Sequence, residues 1–281
     1  MTRLTYMSES DIPFAVRLSS KEEWGTPPSD FKRILHLHPY GSFVAREGNS
    51  RVGILTSITY GKDLAWIGNV IVDRRYRRKH IGRSLMQYAV EHLKRLHVKH
   101  IGLYCFENNV EFYKKLGFVG RAQFVRLRRP REHIKTIEHE TGQRPSLSVL
   151  FYMDRKTFGA DRSKLIRSWI SARSGTYFGF TNHEKSAFLF VKRYSDMFDF
   201  GPGAAFNVSE EDLRGLLVES IGYACRKPIE VSCLGRNRRM LRLLFESGFR
   251  PINRGFRMYL NNDPELGDDR SALIIGFPDK G

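Results

Sequence analysis

Apolar residues recur with two different periods along the chain, and their order predicts an α/β fold. In three early segments apolar and polar residues alternate with the two-residue period of strands: Ser42 to Arg46, Arg51 to Tyr60 and Leu64 to Asp73. Apolar positions from Ile81 to Leu93 follow helical spacing instead and predict a helix over residues 81–96. Two short helices are expected before these strands, starting near Ser10 and near Asp30.

The same alternation continues after the predicted helix. Ile101 to Cys105 reads as a strand, Asn109 to Leu116 as a short helix, and Phe118 as the start of another strand. Gly117 suits the left-handed C-cap of that short helix. The resulting order is strand, helix, strand, helix, strand.

A second copy of this pattern follows a charged linker at Arg126 to Ser148. It contains a helix capped by Ser209 and a strand at Ile229 to Cys233, and its next helix ends at Gly248-Phe249, like Gly117-Phe118. Aligning these two dipeptides gives an offset of about 131 residues, typical of an internal duplication. We therefore predict two domains, residues 1–147 and 148–281, with Gly201-Pro202-Gly203 as a turn in the second.

Composition narrows the function classes. The formal net charge is +17, and residues 1–150 carry 26 Lys and Arg against 14 Asp and Glu, so the first half is expected to face an anion. There is no apolar stretch of membrane-spanning length and no secretory leader pattern, which favours a cytoplasmic protein without a membrane partner. Three scattered cysteines favour buried thiols, and the histidine and cysteine spacings predict no metal site.

The stretch from Asn69 to Met86 carries the clearest chemistry. A buried strand turns through basic residues into a helix whose N-terminus offers unpaired N–H groups and a partial positive charge. Gly82 allows close approach of a ligand, and the surrounding Arg and Lys side chains add full charges. This combination predicts a pyrophosphate cradle.

The stretch resembles motif A of the GNAT superfamily of N-acetyltransferases, whose signature is V-x-x-x-x-R/Q-x-x-G-x-G/A. Arg77 takes the Arg/Gln position and Gly82 the last Gly/Ala, while His80 replaces the first glycine, a departure that is tolerable if its φ is negative, as in a first helical turn. The resemblance implies acetyl-coenzyme A as cofactor. The implied contacts in this stretch are Val70, Ile71, Val72, Arg77, Arg78, Lys79, His80, Ile81, Gly82 and Arg83.

Residues 107–118, ENNVEFYKKLGF, are similar to motif B of the same superfamily. The resemblance implies that Tyr113 is the general acid for the departing thiolate and that Asn108, Asn109 and Phe112 contact the cofactor. A phenol is close enough to a thiol in pKa to lend its proton. The family's strand bulge and splayed strands are expected at Val70 to Val72.

The general base is left open. Family members often place a carboxylate on a central strand, where this chain has Leu103-Tyr104-Cys105. Glu107 is the first candidate, Asp63 stands behind it, and a water relay is the alternative.

Nearly the whole chain resembles YitH-type proteins with two fused GNAT domains, through Trp24 with Asp30, Ala65 to Gly68, Met153 to Leu165 and Ile274 to Gly281. The resemblance implies two mixed, mostly antiparallel sheets flanked by helices, and an acceptor pocket near Trp24 and Trp66. Under the offset, Glu210, Glu211 and Asp212 replace the basic cradle, so the second domain is expected to shape the acceptor pocket without binding cofactor.

The resulting prediction is transfer of an acetyl group to a primary amine, with a small molecule favoured as acceptor. Two alternatives stay open. A nucleic-acid- or ribosome-associated role follows from the basic run Arg121 to Lys135, but acidic residues interrupt it and its continuation. A catalytically inert coenzyme A sensor follows from His80 and the missing strand carboxylate. The acceptor and the oligomeric state are not readable from the sequence.

Overall fold

A computed structural model describes residues 2–132, 143–224, 226–262, 264–276 and 279–281. Within these ranges the chain forms eight α-helices and twelve strands, and all the strands join one mixed, mostly antiparallel sheet. The predicted α/β class is confirmed. The predictions that concern His133, His139, Cys225 and residues 277–278 lie outside the described residues.

The helices flank the sheet, and their bounds are α1 Ile12–Lys21, α2 Pro28–Leu37, α3 Ile81–Arg95, α4 Val110–Lys114, α5 Leu147–Phe158, α6 Ser163–Ser171, α7 Glu210–Ala224 and α8 Arg238–Glu246. The strands are β1 Thr2–Tyr6, β2 Phe43–Glu47, β3 Ser50–Tyr60, β4 Leu64–Val72, β5 His100–Phe106, β6 Phe118–Arg129, β7 Gly175–Thr181, β8 Ser186–Arg193, β9 Phe198–Phe206, β10 Ile229–Leu234, β11 Arg250–Leu260 and β12 Ala272–Ile274.

Sequence periodicity located most of the first half correctly. It missed β1, whose exposure pattern does not alternate cleanly, and it also missed α5 and α6. The prediction of a turn at Gly201-Pro202-Gly203 is wrong, because these residues lie inside β9, where the pairing with β8 shifts register between Leu189 and Val191. A glycine and a proline at a strand irregularity read locally like a turn.

The duplication is visible in the structure. Helices α3 and α7 have fifteen residues each, and each follows a strand, β4 or β9, that shifts register against its neighbour. Even the pairing of β1 with β2 has a counterpart, an isolated bridge between Gln143 and Thr181 on β7.

The two copies share their sheet by exchanging strands. Its order is β1-β2-β3-β4-β5-β11-β6-β10-β9-β8-β7, with β12 paired to β9. Strand β11 of the second copy therefore lies between β5 and β6 of the first, and β6 lies between β11 and β10. The hydrogen-bonded ladder consequently crosses any boundary drawn in the linker.

Two thiols fall in the described residues: Cys105 and Cys233 are both buried. In those same ranges, none of the helices has the length and apolarity needed to cross a bilayer.

Candidate active site

A bulge in β4 opens the sheet. Ile54 pairs with Ile71 and Thr56 with Gly68, so β4 uses one extra residue here, and Asn69 adopts a φ of 48°. Parallel pairing of β4 with β5 runs only from Leu64 to Ile67. Beyond it the two strands separate, which leaves the backbone of residues 70–72 available on that side to a ligand.

The basic turn at the end of β4 is arranged as a cradle. Arg77 donates from Nε to the Val72 carbonyl at 3.0 Å and from Nη2 to Glu22 Oε1 at 2.6 Å. Arg78 and Arg83 are exposed, and within the described ranges neither forms an ion pair. The first N–H groups of α3 point out of the helix end at the same place. The turn therefore presents uncompensated positive charge to the space beside the bulge.

His80 takes a left-handed conformation, with a φ of 61°, and Arg78 does so too, with a φ of 65°. The condition of a negative φ at His80 is therefore not met. The turn needs a left-handed residue just before α3, and His80 carries the strain that a glycine would avoid.

One cavity of about 830 Å³ joins the cradle to the second copy. The predicted cofactor residues that line it are Val70, Ile71, Val72, Arg77, Arg78, His80, Ile81, Gly82, Arg83, Asn108, Asn109 and Phe112. A methyl group added at Gly82 would lie 3.6 Å from Phe112 Cζ, so the free protein has room there. The open strand, helix end and unpaired arginines fit an elongated polyanion such as acetyl-coenzyme A.

Tyr113 lines the cavity from α4 and is 8% exposed. Burial raises the pKa of its phenol far above the usual value, so Tyr113 holds its proton at neutral pH. Burial also raises the pKa of Cys105 to about 12, although the Phe256 backbone lowers it in part. This thiol stays protonated and is a poor nucleophile.

Sequence reasoning missed much of the end of the cavity that lies away from the cradle. Its aromatic wall comes from β5 and β6 and consists of Tyr104, Phe106 and Phe124. Polar residues of the second copy also line it, and these are Tyr194, Asp196, Glu230, Asn253, Asp279 and Lys280. Asp30 joins them from α2. Asp30 and residues 279–280 belong to stretches that carried the family resemblance, but nothing in those stretches indicated that they meet.

The polar residues at this end form a buried network. Lys280 Nζ lies 2.9 Å from Asp30 Oδ2 and 2.6 Å from Asp279 Oδ2, and Tyr194 donates its hydroxyl to Asp30 at 3.0 Å. Burial would raise the pKa of Asp30, but Lys280 and Arg33 outweigh it and lower that pKa. The carboxylate therefore stays charged beneath the cavity.

Four predicted residues do not come to this cavity. Lys79 pairs with Glu47 at 3.7 Å, and Glu107 is exposed outside the cavity lining. Asp63 pairs with Lys99 at the opposite end of β4 from the bulge. Trp66 is fully buried between Tyr104 and Phe158, whereas Trp24 does line the cavity.

The equivalent cleft in the second copy is filled by the chain itself. Strand β12 pairs with β9 through Ala272 and Ile274, and Ile275 donates its N–H to Ser232 on β10. Glu210 and Asp212 stand at the start of α7 in place of the basic cradle, and Leu244 is fully buried at the position equivalent to Tyr113. Over the described residues, chain segments and carboxylates therefore stand where the first copy has open space and positive charge.

The sequence matches two family models, one for the acetyltransferase (GNAT) family over residues 9–118 and one for an acetyltransferase (GNAT) domain over residues 150–274. Solved structures are similar over nearly the full chain. A Pyrococcus horikoshii protein, provisionally described as an acetyltransferase, is 22% identical with a TM-score of 0.78, and the match covers 100% of this chain and 96% of that one.

Two further solved structures are also similar over nearly the whole of this chain. A tandem GNAT protein from the clavulanic acid biosynthesis pathway is 13% identical with a TM-score of 0.68, covering 94% of this chain and 100% of that one. A GCN5-related N-acetyltransferase from Sphaerobacter thermophilus is 13% identical with a TM-score of 0.66, covering 96% and 98%. Among curated proteins, none matches the sequence.

Proposed function

This chain belongs to the GNAT family of acetyltransferases, with two domains in tandem, and from that premise we propose that it acetylates a primary amine of a small molecule. An acyltransferase of this family uses acetyl-coenzyme A as donor. The observation that carries the proposal is a continuous cavity that begins at the basic cradle and ends among acidic and aromatic side chains. Such a cavity provides for a polyanion at one end and an amine at the other.

We assign cofactor binding to the predicted first domain, residues 1–147. Backbone groups of Val70 to Val72 hold the pantetheine amides, and the turn from Arg77 to Arg83 holds the pyrophosphate. Asn108, Asn109 and Phe112 complete this half of the cavity. Lys79 forms an ion pair with Glu47, so it adds positive charge near the pyrophosphate without contacting it.

Direct transfer fits the side chains around the bulge. Acetyl-coenzyme A supplies a thioester, and a bound amine close to it reacts without a covalent enzyme intermediate. Tyr113 holds the proton that the leaving sulfur requires, since burial keeps its phenol protonated. Cys105 takes no part as a nucleophile because its thiol is also protonated.

Proton removal from the amine is assigned to water in the cavity. The predicted base, Glu107, lies at the surface outside the cavity lining, and Asp63 lies at the far end of β4. A chain of waters provides a route that needs neither of these carboxylates. The predicted second domain, residues 148–281, supplies the acceptor wall through Tyr194, Glu230 and Asp279.

Incubating the full chain with deuterium-labelled acetyl-coenzyme A and a metabolite extract tests the proposal. We expect small-molecule products that carry the labelled acetyl group on an amine, detected by mass spectrometry. Heat-denatured protein is the control for non-enzymatic acetylation. Tight binding of acetyl-coenzyme A without any labelled product would support the sensor alternative and contradict the proposal.

A further inference from the structure

We infer that Asp279 binds the ammonium group of the acceptor, and that the acceptor is a primary amine carried on an apolar body. The inference rests on the proposed function and names a substrate class for it. It assigns a specificity-determining role to a residue far from both sequence motifs.

Asp279 lies directly against the bulge in β4. Asn69 donates from Nδ2 to Asp279 Oδ2 at 3.2 Å. A Cβ built on Gly68 would come within 2.3 Å of the Asp279 carbonyl oxygen, so the two backbones are in close contact. The open edge of β4 starts at this bulge. A group held by Asp279 is therefore adjacent to Val70 to Val72, where we place the pantetheine arm that carries the thioester.

The carboxylates of Asp30 and Asp279 differ in their hydrogen bonds. Both oxygens of Asp30 have partners, since Arg33 binds Oδ1 and both Tyr194 and Lys280 bind Oδ2. On Asp279, Asn69 and Lys280 both donate to Oδ2. Its Oδ1 is shielded from bulk water and accepts no hydrogen bond from the described residues. Asp279 itself lines the cavity, so a rotation of its carboxylate would present this oxygen to a ligand, and an ammonium group would supply the missing donor.

Aromatic rings line the same cavity as this carboxylate. Trp24 meets Phe106 edge to face with ring centroids 6.4 Å apart, and Tyr104 meets Phe124 in the same way at 5.4 Å. All four side chains line the cavity. Such walls favour an apolar body, and aromatic faces also attract a cation.

Each cation that lines this end is paired with a carboxylate, although Arg126 and Arg128 share one. Arg126 Nε lies 2.9 Å from Glu230 Oε2, and Arg128 Nε lies 2.7 Å from Glu230 Oε1. Lys280 is shared by Asp30 and Asp279. An incoming ammonium group therefore meets paired cations, whereas the exposed arginines of the cradle would repel it.

The first test compares two probes on the wild-type full chain in the presence of coenzyme A. 2-Phenylethylamine and 2-phenylethanol share one body, and only the amine carries a charge at neutral pH. We expect the amine to bind at least about tenfold more tightly by calorimetry, as a charged hydrogen bond implies. Equal affinity for the two probes would overturn the inference.

The second test uses Asp279→Asn, which keeps shape and removes charge. The KM for 2-phenylethylamine should rise by about tenfold or more, while the KM for acetyl-coenzyme A stays within about twofold. Glu265→Gln is the control, because Glu265 is an exposed carboxylate that does not line the cavity. A merely structural role would shift both KM values together and would overturn the inference.

Each outcome separates the two proposals. Acetylation of 2-phenylethylamine that is unaffected by Asp279→Asn contradicts the inference and leaves the proposed function intact. If no amine in the metabolite extract is acetylated, the proposed function fails instead. Should Asp279→Asn not fold, as judged by circular dichroism, the comparison of amine and alcohol on the wild-type chain decides the matter.

Discussion

At the scale of single residues, Tyr113 and His80 are held in unusual environments. Tyr113 is buried, and His80 has a strained backbone. Tyr113 is nearly inaccessible to bulk solvent, and its neighbours are Phe112, Phe118 and Cys105. A phenol in this setting keeps its proton at neutral pH, which is the protonation state that a general acid requires. His80 is exposed and strained, and its backbone shapes the turn that leads into α3.

Tyr113→Phe tests the proposed acid. The substitution removes one oxygen from a packed ring, so we expect kcat to fall by roughly a hundredfold while acetyl-coenzyme A affinity changes little. Steady-state kinetics and calorimetry provide the two values. Tyr88→Phe is the matched control, since Tyr88 packs edge to face on Phe43 outside the cavity lining. Equal losses of turnover and affinity would exclude the assigned role.

His80→Gly and His80→Ala test the strain in the turn. Both remove the imidazole, and only alanine retains the Cβ that disfavours a φ of 61°. Since glycine also has greater freedom in the unfolded chain, we expect the glycine variant to be more stable by roughly 0.5–1 kcal/mol. Urea unfolding measures the difference. If alanine were the more stable of the two, the left-handed turn would be the wrong conformation.

At the scale of elements, the two copies differ in what lies between their separating strands. In the first copy the space beside β4 opens into the cavity. In the second copy β12 pairs with β9 and its continuation bonds to β10, so chain atoms occupy the corresponding place. The same bulged geometry therefore serves a ligand in one copy and the fold itself in the other.

One coenzyme A per chain is the expected stoichiometry by isothermal titration calorimetry. Arg83 and Arg214 are equivalent under the 131-residue offset, and both lie near the N-terminal ends of their helices, α3 and α7. Arg83→Glu should weaken binding by at least about tenfold, because it places negative charge at the cradle. Arg214→Glu is the matched control and should leave affinity unchanged. Two binding events per chain would contradict the blocked second cleft.

At the scale of the whole molecule, exchanged strands make the two copies mutually dependent. Removing the second copy would take β11 away from both β5 and β6, and removing the first would take β6 away from β10. Each copy alone would expose long unpaired strand edges. The predicted boundary between residues 147 and 148 thus separates the two copies of the duplication. That it separates two domains is a proposal.

Unfolding should therefore be a single cooperative transition. Three tryptophans are present, and Trp169→Phe leaves only Trp24 and Trp66, both in the first copy, as fluorescence probes. In that variant the urea midpoints from fluorescence and from far-UV circular dichroism should coincide, because the ladder joins both copies. Separate midpoints would show that the copies unfold independently.

Local sequence determined a large part of this protein. Strand and helix periodicity gave most elements of the first copy, because side-chain spacing depends only on near neighbours. The basic turn and the Phe112-Tyr113 pair could be read from sequence for the same reason: a cradle and a short helix are local structures. The acidic turn at the start of α7 likewise distinguished the second copy from the first.

The tertiary structure decided everything that joins distant parts of the chain. Trp66 is a core residue because Tyr104, Phe158 and Tyr259 surround it, and no local pattern indicates those partners. Asp279 reaches Asn69 across 210 positions, and β11 enters the first copy only through sheet pairing. Long-range pairing depends on which edges remain open after the local elements have formed, so the acceptor end could be read only from the fold.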